Sequence, residues 1–285
     1  MTYTYVESSE NYEAWQEAKR HLITATDVAT LASSSTAGWA QLKARKAGKA
    51  GFPSNQYMQW GIERETVIAQ IMAEKYPWLA PSTHLVRMDE DPRFGATPDM
   101  LGDAGLCQIK TSLWKGEKWS EPPQKYVDQC QWEMYVTGLD ENILAVEYYE
   151  PTEDGFRVVD PFEPVHELLI ERDPDRIVYL IELAEKFLAM GEPSPMDALI
   201  ADWADAKIAA DVAKDRLTEV EEKIRHEIGP QDSFKHVSEV GSVTLTTPKP
   251  TERFDSTRFK KENEDTYREY VTTSQGKPRL TVRAA

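Results

Sequence analysis

Ala96-Thr97-Pro98-Asp99, followed nine residues later by Gln108-Ile109-Lys110, is the stretch on which the reading of this chain turns. Alternate side chains of a strand share a face, so Gln108 and Lys110 point one way while Cys107 and Ile109 point into the core. Asp99 joins Gln108 and Lys110 if its own strand pairs with theirs. A carboxylate, a second oxygen ligand, the backbone carbonyl of Ile109 and a nearby Glu then form an oxygen cage suited to Mg²⁺, a cation that keeps several of its waters. Lys110 is placed to orient or deprotonate an attacking water, or to stabilise charge on a phosphate. Taken alone, an Asp with a Lys downstream is a common surface pattern. Context from the rest of the chain decides between the two.

Around that stretch, residues 84–88, 94–97 and 106–110 are short extended segments separated by Asp, Pro and Gly clusters, which predicts a small sheet with tight connections. A helix is predicted over 123–138, with Tyr126, Cys130 and Met134 on one stripe, then strands at 143–149 and 156–159 around an Asp154-Gly155 turn. Upstream, residues 11–32 read as two helices broken at Leu22-Ile23-Thr24, the second capped by Thr26 or Asp27. Residues 48–53 read as a loop, and 56–76 as a helix with Trp60, Val67, Ile68, Ile71 and Met72 at helical spacing and Glu63 and Glu65 near its start. Helices, strands, helix and strands in that order predict a mixed sheet flanked by helices. Beyond Pro161 the composition turns helical and charged, with Ile177, Leu180, Ala184 and Phe187 on one buried face. A long helix over about 196–228 carries Val212, Leu217, Val220, Ile224 and Ile228 on a narrow stripe that suits a partner helix, though too irregular to require a coiled coil. A hairpin around Gly241, a polar helix near 255–270 and a last strand at 280–282 complete the expectation.

Composition narrows the function. With 40% hydrophobic residues, eight Trp and twelve Tyr among 285 residues, the chain buries enough apolar surface to fold. No apolar run approaches the roughly 18–20 residues of a membrane span, and Met1-Thr2-Tyr3-Thr4-Tyr5 lacks a signal-peptide pattern, so a cytoplasmic protein is expected. Two cysteines cannot supply a four-thiolate site, and the five histidines show no clustered ligand spacing. A net charge of −16 opposes non-specific coating of DNA, because phosphate affinity comes from Lys and Arg. Any nucleic-acid site is therefore local. Lys43, Arg45, Lys46 and Lys49 form one candidate patch, or simply a solvated helix end and loop.

Five motifs in order resemble the lambda-exonuclease and YqaJ-type viral recombinase family across roughly the first 160 residues. Trp15, Lys19-Arg20 and Ile23-Thr24-Ala25-Thr26-Asp27 are similar to the family's basic residue and its Ile-Thr-Ala-Ser-acid stretch. Trp60-Gly61-Ile62-Glu63-Arg64-Glu65 resembles its Trp-Gly-x-x-x-Glu helix, Thr97-Pro98-Asp99 its Ser-Pro-Asp, Gln108-Ile109-Lys110-Thr111 its Glu-x-Lys, and Tyr126-Val127-Asp128-Gln129-Cys130-Gln131 its Tyr-x-x-Gln-x-Gln helix. The resemblance implies an α/β fold with a PD-(D/E)xK restriction-endonuclease-like core over 1–160 and a helical and β extension over 161–285. It implies catalytic residues Glu65, Asp99, Gln108 and Lys110, a Mg²⁺ site (Mn²⁺ able to substitute) on Glu65, Asp99, Gln108 and the Ile109 carbonyl, and DNA contacts from Lys19, Arg20, Thr26, Tyr126 and Gln129. Trp114 and Trp119 stand either as base-stacking residues or as ordinary packing. The activity implied is 5′-to-3′ digestion of double-stranded DNA ends by a ring-shaped homo-oligomer, leaving 3′ single strands for a single-strand annealing protein. One departure matters: the family carries Glu where this chain has Gln108, and a neutral amide binds a hard cation more weakly than a carboxylate. An end-binding protein without cleavage, an endonuclease on the same fold, and an interaction protein that works through its C-terminal half are the alternatives.

Overall fold

The computed structural model describes residues 2–48, 56–152, 155–191, 194–231, 233–247, 251–252, 254–276 and 278–282. Two compact units divide the chain, Met1–Asp202 and Trp203–Arg283. In the first, β1 (Tyr3–Ser8), α1 (Tyr12–Arg20), α2 (Ala25–Ser33), α3 (Thr36–Lys46) and α4 (Gln56–Lys75) precede β2 (Leu79–Pro81), β3 (His84–Met88), β4 (Gly95–Ala96), β5 (Met100–Gly102) and β6 (Leu106–Leu113). There follow α5 (Gln124–Thr137), β7 (Glu141–Thr152), β8 (Gly155–Val158), β9 (Val165–Glu171) and α6 (Pro174–Ala189), and then the long α7 (Pro195–Ile228), within which the boundary falls.

The central sheet runs β2-β5-β6-β7-β8, with β9 also paired to β7; β6 and β7 are parallel and the other pairs antiparallel. Parallel neighbours require a crossover, and α5 supplies it. Gly138, in the left-handed region at φ 76°, closes α5 with its N–H on Met134 O and turns the chain into β7. Strands buried on both faces read as near-continuous apolar runs, which is the pattern of β7 from Asn142 to Tyr149. Cys107 and Ile109 pack with Ile68 and Met72 of α4, whereas Leu106 and Leu144 pack with Cys130 and Met134 of α5. A third cluster joins Val28 and Leu31 of α2, Trp132 of α5 and Leu180 and Phe187 of α6. Fully buried, Trp132 donates its Nε1–H to the carbonyls of Gly95 and Ile23, at 3.1 and 3.3 Å, and so ties α5 to β4 and to the segment that leads into α2.

Several expectations change. The second helix is capped by Thr24, not by Thr26 or Asp27, and the Asp27 carboxylate reaches back three residues to the Thr24 N–H and hydroxyl (2.8 and 2.7 Å), a capping box. Residues 36–46 form α3, and Lys43, Arg45 and Lys46 stand in its last turn, the helix end expected of them. The division expected at residue 160 falls later: β9 pairs with β7 and α6 supplies core residues, so both belong to the first unit. Lys49, most of the 48–53 loop, Asp154 of the predicted turn and the Val212 side chain lie outside the described residues. In the second unit, β10 (Ser233–Ser238) and β11 (Gly241–Thr246) form the expected hairpin. The polar helix is two helices, α8 (Ser256–Glu262) and α9 (Glu264–Tyr270), meeting at Asn263, and the described residues 278–282 form no strand.

Candidate functional site

Register brings Asp99 to Gln108. Met100 of β5 pairs with Cys107 of β6, and one step outward along the pair stand Asp99 and Gln108. Asp99 Oδ2 accepts a hydrogen bond from the Ile109 backbone N–H at 2.7 Å and another from the Gln108 side-chain amide. Lys110, two residues beyond Gln108, lies with its Nζ 5.7 Å from the centre of the Tyr126 ring on α5. Glu65 arrives from α4. One turn earlier on the same helix face, Gly61 faces β6, where a Cβ would stand 3.4 Å from Thr111 Oγ1, an ordinary van der Waals contact. Next to Glu65, Arg64 forms a two-pronged pair with the wholly buried Glu147 of β7, at 2.7 and 2.6 Å, and anchors α4 to the sheet.

Glu65 keeps contact with solvent but is crowded by protein. Loss of water, then the charge of Asp99, push its carboxyl up to about 7, and Lys110 opposes them. Burial raises Asp99 as well, against the pull of Lys110, the Ile109 N–H, Lys19 and Gln108. Glu133, buried on α5 and hydrogen-bonded by Asn142 at 2.8 Å, is pushed up to about 8 by burial and then by Asp99. Acids gathered with too little positive charge are what a divalent cation relieves, and hard oxygen donors suit Mg²⁺. The donor set fits such an ion: Glu65 and Asp99 as the charged ligands, Gln108 and the Ile109 carbonyl as neutral oxygens. Gln108 turns its N–H toward Asp99, so its amide has to rotate to offer oxygen. Among the described residues, no three His, Cys, Asp or Glu side chains converge as ligands. A cage here rests on two acids and neutral oxygens.

Lys19, Arg20 and Thr26 line one cavity of about 720 Å³ together with Tyr12, Arg45 and Lys46. Thr26, exposed, is the second residue of α2, where backbone N–H groups point at an incoming anion. Lys19 lies 4.0 Å over the Trp15 ring, and burial draws its pKa down while Asp27 and, less strongly, Asp99 hold it up. The cavity and the acid pair thus share one electrostatic neighbourhood. Arg20 pairs with Glu17 at 2.7 Å on the surface. Two cations of the candidate patch are structural: Lys43 donates to the Phe187 and Met190 carbonyls at the end of α6, and Lys46 pairs with Asp27 at 2.7 Å and donates to the Leu22 carbonyl at 2.6 Å.

Along α5, Tyr126 and Gln129 share a face; the buried Gln129 Oε1 has no hydrogen-bond partner. Trp119 stacks on Tyr126 (5.6 Å between ring centres) and donates its backbone N–H to the Tyr148 hydroxyl, while Trp114 packs edge-on against Tyr148. Both tryptophans are packing residues in this structure. Glu63 faces solvent and accepts from Gln59 at 3.1 Å. Sequence reasoning missed Arg64, Glu147 and Glu133. Helical spacing puts Glu133 four residues after Gln129, a signal within reach, whereas Arg64 and Glu147 are joined only by the fold.

Residues 14–140 match the YqaJ-like viral recombinase domain. An alkaline exonuclease from Laribacter hongkongensis superposes with a TM-score of 0.51 at 22% identity, over 70% of this chain and 98% of that one. A phage-related exonuclease from Haemophilus somnus aligns with a TM-score of 0.43 at 14% identity, over 64% of this chain and 96% of the other. Among curated proteins, none matches this chain. At such identities the superposition with the Laribacter protein speaks for the nuclease fold.

Proposed function

We propose that the chain, whose residues 14–140 match the YqaJ-like viral recombinase domain, is a metal-dependent DNA exonuclease of phage-type recombination. It digests double-stranded ends from 5′ to 3′, in a ring-shaped homo-oligomer, and leaves 3′ single strands for a single-strand annealing protein. One observation carries the reading: Glu65 and Asp99 stand together, short of positive charge, with Lys110 acting on both and Lys19, which lines a cavity of mixed charge, acting on Asp99. Glu65 and Asp99, with Gln108 and the Ile109 carbonyl, hold Mg²⁺ or Mn²⁺; the bound ion supplies Lewis-acid activation of water and phosphate. Lys110 orients the attacking water or steadies charge on the scissile phosphate. Lys19, Arg20 and the Thr26 hydroxyl grip the terminal 5′ phosphate by charge-assisted hydrogen bonds at the start of α2, and Tyr126 and the free acceptor of Gln129 border the strand. The Gln108 contact to Asp99 favours a second reading, an end-binding protein in which that amide occupies the place of the metal.

Digestion of end-labelled linear duplex in Mg²⁺, Mn²⁺, Ca²⁺ and chelator separates the two. An enzyme cuts in Mg²⁺ or Mn²⁺ and stops in chelator; an end-binding protein retains DNA and cuts under none of these conditions. A 5′-phosphorylated end is expected to be digested roughly tenfold faster than a 5′-hydroxyl end, about 1.4 kcal/mol for the grip. Replacing Lys19, Arg20 and Thr26 together erases that preference at fixed salt. Equal rates on both ends by the unaltered protein, or rapid nicking of a closed circle, refute exonuclease action from a held 5′ end.

A further inference from the structure

The residues that would hold a 5′ phosphate come from both sides of a joint between two helices. Lys19 and Arg20 end α1, Thr26 stands at the start of α2, and residues 21–24 link them. At this joint the two helix ends have opposite needs. The last carbonyls of α1 lack helical partners and carry partial negative charge, whereas the first amides of α2 carry partial positive charge. One cation and one acid answer both. Lys46, the last residue of α3, donates to the carbonyls of Lys19 and Leu22 at 3.1 and 2.6 Å, and its third contact is the Asp27 carboxylate at 2.7 Å. The same Asp27 oxygen accepts from the Thr24 N–H and hydroxyl at the head of α2. On its other side the link is held by the chain around β4, where Ile23 donates to the Arg93 carbonyl at 2.8 Å and accepts from the Gly95 N–H at 3.0 Å.

Three contacts use all the donors of an ammonium group. Lys46 lines the cavity beside Lys19, Arg20 and Thr26, yet it has no N–H left for a phosphate. Its charge has a second effect. Asp27 lines the same cavity, and a carboxylate there repels a doubly charged terminal phosphate unless a cation lies against it. Asp27 and Lys46 both act electrostatically on Lys19, so the pair and the proposed grip share one field. Lys19 itself meets the Trp15 ring and, among the described residues, no carboxylate at ion-pair distance.

We propose that Lys46 is the positioning residue of the end grip: it sets Lys19 at the close of α1 against Thr26 at the start of α2 and cancels Asp27, without touching the phosphate. This role rests on the 5′-end reading above. Initial rates on 5′-phosphorylated and 5′-hydroxyl duplex at fixed salt test it, taken as a ratio within each protein so that a general loss of activity cancels. Lys46→Met is expected to lower the ratio from roughly tenfold to below about threefold, by raising KM for the phosphorylated end rather than lowering kcat. The Mg²⁺ concentration for half-maximal cleavage is expected to stay within about twofold of the parent's, because the metal's oxygen ligands are untouched. Since Lys46→Met strands a buried acid, Asp27→Asn with Lys46→Gln serves as a second variant: no lone charge remains, Asn keeps an oxygen for Thr24, and Gln offers two donors where Lys offered three. The same loss of preference is expected from it. A ratio kept at the parent's value in either folded variant overturns the proposal, and so does a ratio that falls only together with a shifted Mg²⁺ requirement, the mark of a loosened core. Equal rates on the two ends by the unaltered chain overturn the end grip itself, and this role with it.

Discussion

Glu147 and Asp99 are acids set beside the same sheet with opposite surroundings. Glu147 receives both prongs of Arg64; Asp128, equally buried, receives both prongs of Arg176 at 2.7 and 2.8 Å, and Asp27 receives Lys46. Each of these pairs ties one element to another, α4 to β7, α5 to α6, and α2 to α3. Asp99 is met by two amide N–H groups and the more distant charges of Lys110 and Lys19, and it faces Glu65, a second acid. Acids that fasten the fold are neutralised by a cation from another element of the chain. Acids left short of charge at a cleft are poised for a cation from outside, which is why perturbed carboxyls collect at functional sites.

The sharpest way to break that contrast is to neutralise one acid of each kind. Asp99→Asn is expected to cut DNA cleavage by about a thousandfold or more, near 4 kcal/mol of barrier, with a melting temperature equal to or above that of the unaltered chain. A folded Asp99→Asn protein that cuts at the original rate would remove this residue from the site. Glu147→Gln is expected to do the reverse, lowering unfolding free energy by about 3 kcal/mol in urea titrations because it strands Arg64 without its counter-charge. Its cleavage should fall only through looser placement of Glu65, and supply of excess Mg²⁺ should recover part of it. If Glu147→Gln is as stable as the parent, the pair does not anchor α4.

Solution pH sharpens the comparison further. Glu133 and Glu65 both titrate higher in the folded chain, at about 8 and about 7, than the 4.5 of a free Glu. Between those values the folded state binds protons that the unfolded state has released, so stability falls as pH rises, and the loss is complete once pH passes the folded values. The buried Glu133 adds a slope of up to about 1.4 kcal/mol per pH unit within its window, and Glu65, which solvent screens, adds less. Metal-free protein is thus expected to be more stable near pH 5 than near pH 8, and Glu133→Gln to reduce the slope across that whole range and to leave the curve nearly flat between pH 7 and 8, where Glu65 no longer contributes. A stability that rises across this range would show that the paired carboxylates dominate instead.

How much of this was legible in the sequence follows from the range of the forces involved. The Asp99, Gln108 and Lys110 constellation was legible because strand alternation and one short connection place it. Glu65 was reached through the resemblance. The helices 56–75, 124–137 and 174–189 were legible from their apolar spacing. Strand β9 was not, since Val165–Glu171 sits between charged segments and gains its apolar partners only by pairing with β7. Strand β1 gains partners only from β3, nearly eighty residues away. Arg64 with Glu147, and Lys46 with Asp27, are pairings that no local pattern announces. For Lys43 and Lys46 the charge was visible, but the buried carbonyls they serve were not.

The smallest expected effect bears on the one position where the chain departs from the pattern it resembles. Gln108 donates to Asp99 and so lends the acid pair a fraction of the positive charge that a metal would bring. Gln108→Glu removes that donor and sets a third carboxylate against the other two. Without metal, the variant is expected to lose about 1–2 kcal/mol of stability, since a buried acid trades a hydrogen bond for like-charge repulsion. With metal, the same carboxylate becomes a ligand, and the Mg²⁺ concentration giving half-maximal cleavage is expected to fall by roughly threefold to tenfold, about 1 kcal/mol. The two halves of the prediction have opposite signs, which a general loss of folding cannot imitate. Denaturation with and without Mg²⁺, run beside a cleavage titration, reads both at once. A variant less stable in either condition, with no gain in metal affinity, would mean that Gln108 acts through its amide, as a hydrogen-bond donor to Asp99, and that residue 108 is no part of the metal's shell.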